Sequence, residues 1–107
     1  MEKAFNRTEL LKALELAKFG LADKEVIEQS QSFIFDTESI YTYNDNVAVR
    51  VPFPIGLRAA VPSIPLLTFL RKVKKDDIIL SFEDNTLTVR QGKRVSVGIP
   101  SNSDIIL

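Results

Sequence analysis

The chain contains no cysteine and no histidine. Without thiols there is no disulfide, no thiolate nucleophile and no thiolate metal site. Without imidazole the usual general base, the Ser-His-Asp triad and histidine metal ligation are also excluded. No apolar run approaches the ~18 residues of a membrane span, and the opening MEKAFNRTELL lacks the basic-then-apolar layout of a signal peptide. Nor is there an excess of charge of either sign, with 14 basic residues against 14 acidic ones. Proteins that grip nucleic acid unaided are usually basic overall. Any nucleic-acid role here must therefore come from local charge patterning. A cytoplasmic, non-membrane protein without metal or cofactor is expected, and an enzyme is not.

What is present is enough apolar residues for one core: 45% of 107 residues are hydrophobic and 26% charged, the proportions of one globular domain. EKAFN is a short first strand. RTELLKALELAKFG is a helix, with Thr8 as N-cap, Leu10, Leu11, Leu14, Ala17 and Lys18 at helical spacing, and Gly20 as the stop. LADKEVIEQSQ is a polar connection that turns strand-like at Val26 to Glu28. SFIFDT, IYTYND and VAVRVP follow as strands, separated by the turns DTES and NDN. FPIG is the strongest internal break. Beyond it come the strand LRAAVP, a helix SIPLLTFLRKVKKDD with Ser63 as N-cap, and the strands IILSFED, TLTVRQ and RVSVGIP.

The order is thus strand, helix, three strands, stated twice. Phe5 to Leu14 aligns with Val61 to Leu70, Phe35 to Tyr43 with Phe82 to Arg90, and VAVRVP with VSVGIP. A half this small cannot bury its own apolar faces. Two halves, about 2–53 and 57–100, would share one core across a pseudo-two-fold axis, with Leu10, Leu11 and Leu14 meeting Leu66, Leu67 and Leu70. Similarity between any two such short βαβββ stretches is the plainer alternative.

The carboxylate pairs Asp76/Asp77, Glu83/Asp84 and Asp36/Glu38 lie at turns and strand starts, where acids are ordinary occupants. The glycines of GLADK and RQGKR lack phosphate-loop spacing. Helix two is more informative. Thr68, Arg71, Lys72 and Lys75 share one face, with Lys74 beside them, while Leu66, Leu67, Leu70 and Val73 hold the opposite face. By itself this is also what a solvated helix end looks like when its cations complement the C-terminal dipole. Helix one offers Lys12, diluted by Glu9, Glu15 and Leu16.

Together with the duplication and the basic helix, AAVPSIPLLTFLRKVKKDDIILSFEDNTLTVRQGKRVSVGIP resembles one domain of a DNA sliding clamp, the processivity factors typified by the bacterial polymerase III beta subunit and the proliferating cell nuclear antigen. The shared run is Val-Pro, an amphipathic helix ending in basic residues, an acidic strand start, an EDN-type turn before an LTV strand, then a Gly hairpin and a basic edge strand. YNDNVAVRV is similar to the strand and turn of the family's first half. The match spans most of residues 4–100 in pattern.

The resemblance implies an α+β DNA-clamp fold, a duplicated βαβββ with two helices on one face of antiparallel sheets. It implies a ring of such domains, or of copies of this chain, around duplex DNA, tethering a polymerase and met by a clamp loader through the full-length protein. Contacts to phosphate alone suit sliding. The DNA-facing residues would be Arg71, Lys72 and Lys75, then Lys74, Lys12, Arg7 and Lys24. The last strand of each half would be an edge joining the next domain, through Val47, Val49 and Val51 on one side and Lys93, Arg94, Val95, Val97 and Ile99 on the other. An ordinary exposed edge guarded by Lys and Arg would also look like this. Family chains carry two or three domains, so residues 101–107 are expected to begin a linker or tail. A protein-interaction module on the same fold, without DNA, is the competing expectation.

Overall fold

The computed structural model describes residues 2–23, 29–44, 46–73, 76–92 and 95–105. Asn6 ends the first strand, β1 (Glu2–Asn6), in an extended conformation, and its Oδ1 accepts the backbone N–H of Glu9 at 3.0 Å. That cap starts α1 (Arg7–Ala17), so Asn6 and not Thr8 is the N-cap. Thr8 lies inside the first turn and donates its hydroxyl to Asp76 Oδ1. The helix closes through a 3-10 turn, Lys18–Gly20. The Thr42 hydroxyl donates to Ala17 O there, and a Cβ at Gly20 would overlap that hydroxyl, which explains the glycine.

β2 (Ser32–Asp36), β3 (Ser39–Tyr43) and β4 (Ala48–Pro52) form an antiparallel meander. After FPIG come β5 (Arg58–Pro62) and α2 (Ser63–Lys72). Pro62 occupies the N-cap position of α2 and no side chain caps it; Ser63 is the first helical residue, and its N–H bonds to Gln31 O at 3.1 Å. The helix stops at Lys72, with Val73 extended, short of the expected end. β6 (Asp77–Glu83), β7 (Thr86–Gln91) and β8 (Val95–Pro100) complete the second meander. Its first hairpin turns on Asp84 and Asn85, both at positive φ (52° and 57°), as a two-residue hairpin requires. The expected strand character at Val26 to Glu28 lies outside the described residues.

The halves exchange their first strands. One sheet runs β1-β6-β7-β8 and the other β4-β3-β2-β5, all antiparallel. Each half therefore contributes its leading strand to the other half's meander, and neither sheet closes without both halves. β6 has seven residues against five in β2.

The helices touch one another; α1 packs on β3 and β4, and α2 on β5 and β8. One core joins all of these elements. Leu10, Leu14, Leu66 and Leu70 are fully buried in it with Phe33, Phe35, Ile40, Ile78, Leu80, Leu87 and Val89. Leu67 is also buried, while Leu11 is half-buried at its margin. At one seam Ala60 and Asn102 exchange backbone hydrogen bonds (2.8 and 3.0 Å), tying the stretch after β8 to β5. The repeat places Pro54 where Asn102 stands. A proline cannot donate that bond, and Phe5 against Phe53 (ring centroids 5.8 Å apart) fills the corresponding seam.

Candidate nucleic-acid interface

Burial divides α2 as its periodicity predicts. Leu66, Leu67, Leu70 and Val73 point into the core, while Thr68, Arg71 and Lys72 are exposed. Lys12 is exposed on α1, and Lys18 is exposed on the 3-10 turn. The structure thus gathers four described cations, Lys12, Lys18, Arg71 and Lys72, on the helical part of the surface. Lys24, Lys74 and Lys75 lie outside the described residues.

Arg7 is placed differently. Its side chain is 17% exposed; Nη1 donates to Leu70 O at 2.9 Å and Nη2 lies 3.7 Å from Asp76 Oδ1. The guanidinium bridges the start of α1 to the end of α2, where a cation also meets the negative end of the helix dipole. Asp76 receives both Arg7 and the Thr8 hydroxyl, a framework role for one of the turn carboxylates; Asp36 pairs with Arg58 at 3.5 Å. Among the described residues no group of His, Cys, Asp or Glu is placed to hold a metal ion, and no helix is long and apolar enough to cross a membrane.

Glu15 stands among the cations. Its Oε1 accepts from Arg71 Nε (3.1 Å) and Nη2 (2.5 Å), and its Oε2 lies 2.6 Å from Lys18 Nζ. Hydrogen bonds from Lys18 and then Arg71 hold its carboxyl below the usual glutamate range. Lys18, expected at helical spacing with Leu10, Leu11, Leu14 and Ala17, is exposed on the 3-10 turn. The signal for its true setting was the Glu15–Lys18 spacing, a helical neighbour pair. The contact with Arg71, far along the chain, left no local signal.

Next to Lys18, which lines the same groove, the helical surface turns apolar. Phe19 and Ile64 are each 74% exposed, and both line a groove of about 690 Å³ with Leu21, Pro65 and Leu67. Leu16 is exposed as well.

β4 and β8 are sheet edges, each paired on one side only. Along β8 burial increases from exposed Val95 through Val97 to buried Ile99; on β4, Val49 and Val51 are half-buried and Val47, just before it, is exposed. Val47 and Val95 correspond in the repeat, so each meander presents one open valine at the far end of its edge. Lys93 and Arg94 lie outside the described residues.

No family model matches this sequence, and no curated protein does. Solved structures do match its fold. The beta subunit of DNA polymerase III from Thermotoga maritima superposes with a TM-score of 0.79 at 18% identity, over 94% of this chain and 30% of that one. The sliding clamp (DNA polymerase III subunit beta) from Pseudomonas aeruginosa, bound to griselimycin, gives 0.76 at 18% identity, over 96% and 31%. The Helicobacter pylori beta clamp bound to a DNA ligase peptide gives 0.75 at 16% identity, over 94% and 30%. The chain has the α+β fold of a single sliding-clamp domain and spans about 30% of the length of these proteins.

Proposed function

We propose that the chain is a non-enzymatic sliding-clamp domain, part of a ring that encircles duplex DNA without reading its sequence and tethers replication proteins to it. The observation that carries this is the exposed row Thr68, Arg71, Lys72 on α2, joined by Lys12 on α1, in a molecule of zero net charge whose fold is that of a clamp domain. Cations on the helical face supply phosphate contacts, which hold the duplex without fixing a register. Arg71, Lys72 and Lys12 are the DNA-facing residues among those described. Lys75 is assigned to the same face on its sequence spacing and the resemblance, Lys74 and Lys24 on the resemblance, and Arg7 acts mainly as the strut between the helices.

The ring closes through sheet edges. β4, with Val47, Val49 and Val51, meets the β8 edge of the next domain, with Val95, Val97 and Ile99 and the flanking Lys93 and Arg94. Such a head-to-tail contact between unlike edges repeats into a closed ring. The next domain is either a further clamp domain or another copy of this chain. Residues 1–107 act as one domain, with repeat halves about 2–53 and 57–100 and with 101–107 as a linker or tail. A polymerase and a clamp loader engage the full-length protein, in the cytoplasm.

The test is polymerase processivity on primed template with the assembled ring. Arg71→Glu combined with Lys72→Glu reverses two charges on the proposed lining and is expected to shorten the products markedly. Unchanged product length would remove the DNA assignment.

A second function, a protein-binding module on the same fold, is favoured by exposed Phe19, Ile64 and Leu16 on a surface where a DNA lining needs none of them. Unchanged processivity in the charge-reversed ring together with its loss in Phe19→Ser would favour this function over DNA contact.

A further inference from the structure

Glu15 bridges two cations of the helical surface. One carboxylate oxygen takes two donors of the Arg71 guanidinium and the other faces the Lys18 ammonium. A phosphodiester divides its two non-bridging oxygens between two cations in the same way. The arrangement is open to solvent: the side chains of Arg71, Lys18 and Glu15 are 49%, 43% and 34% exposed. A ligand can therefore reach the cations without disturbing the core. The carboxyl is held ionised by the cations it bridges, so neutral pH does not vacate the position. Its removal frees two positive charges at once, one on each helical segment.

We propose that Arg71 and Lys18 form a two-cation phosphate site that Glu15 occupies as an internal competitor, so that a DNA phosphate binds there only by displacing the carboxylate. This rests on the helical face being the DNA-facing one. Its consequence is a contact that is individually weak and rapidly exchanged, which a ring that must move along DNA can use. It also explains why an acid lies on the face where a clamp concentrates cations.

The experiment is equilibrium binding of a short mixed-sequence duplex to the 107-residue chain, followed by fluorescence anisotropy across a range of salt. Glu15→Gln is compared with wild type, with Glu9→Gln, and with Glu15→Gln combined with Arg71→Ala. Glu9 lies on the same helix and has no ion pair among the described residues. Its replacement removes the same formal charge without freeing either cation. One additional phosphate contact raises the slope of log affinity against log salt by about 0.9, which is a gain of about 15-fold at 50 mM and about 4-fold at 200 mM. That gain is expected for Glu15→Gln, not for Glu9→Gln, and is expected to vanish when Arg71→Ala is added.

If wild type binds duplex but Glu15→Gln binds no tighter than Glu9→Gln, the internal-competitor proposal is overturned and the DNA assignment stands. If Glu15→Gln, like wild type, binds no duplex at the lowest salt, freeing the two cations makes no phosphate site and the internal-competitor proposal is overturned, while the DNA assignment is decided by the processivity of the assembled ring. Circular dichroism reports whether each variant is folded, and Glu15→Ala repeats the comparison should Glu15→Gln fail to fold.

Discussion

Replacing Arg7 by Met tests how the two halves are held together. Met keeps an apolar stem of similar reach and removes the guanidinium. The wild-type guanidinium donates to Leu70 O at 2.9 Å, among the terminal carbonyls of α2, which lack helical donors. A hydrogen bond from a charged donor is worth about 1.5–3 kcal/mol, and leaving the carbonyl without it costs in the same range. The ion pair with Asp76 adds little, because the separation is 3.7 Å and the Asp76 side chain is 60% exposed; such pairs contribute ~0–1 kcal/mol. The loss expected for Arg7→Met is thus about 2 kcal/mol, a fall in Tm of roughly 8–16 °C for a domain of this size. Urea denaturation with an unchanged m-value would assign the loss to the native state and not to a more compact unfolded one. Arg7→Lys, which keeps the charge but not the planar fork, should lie between the two. A loss below about 0.5 kcal/mol, the range of an ordinary surface substitution, would refute the strut and return Arg7 to the list of DNA-facing cations.

Other outcomes follow from local geometry. Gly20→Ala drives a Cβ into the Thr42 hydroxyl and its carbonyl, so thermal melts should show a loss of about 1–3 kcal/mol; neutrality there would mean that α1 does not close on β3 as described. Thr37 holds a positive φ of 56° between β2 and β3. Thr37→Asn, which tolerates that conformation better than a β-branched residue, should gain about 0.5–1 kcal/mol in denaturant melts. Because the Glu15 carboxyl titrates below its ordinary value in the folded chain, its ion pairs stabilise the fold above about pH 4.3 and lose that contribution as pH falls further. The stability difference between wild type and Glu15→Gln should therefore shrink on acidification below that value, and a difference that grew would reverse the assigned sign.

The element order was legible because each strand and helix carries its own period. Leu66, Leu67, Leu70 and Val73 announce the buried face of α2, and the alternation in VAVRVP and VSVGIP announces two strands. Which strands pair was not legible. The repeat shows that β1 and β5 are equivalent, but an alignment of halves is equally satisfied by strands kept at home and by strands exchanged. Exchange is decided by the shared core, a long-range effect. The cap of α1 differs from the expected Thr8 for a local reason: Asn6 ends a strand and caps a helix at once, and the Asn-x-x-Glu spacing over residues 6–9 is the signal that points to it. The electrostatics of the helical face could be read only in part from one helix at a time, through the Glu15–Lys18 spacing. Arg71 looks like a free cation along α2 and becomes a partner of Glu15 only when α1 is laid against it.

The most direct test of the central claim is an amide chemical-shift titration of the isotope-labelled chain with a short duplex at low salt, which detects contacts too weak to hold a clamp domain on DNA by themselves. Perturbations are expected along Thr68, Arg71, Lys72, Lys12 and Lys18, independent of DNA sequence and abolished by added salt, with β4 and β8 silent. Shifts confined to the sheet edges, or to the Phe19 and Ile64 groove with the α2 cations unmoved, would contradict it.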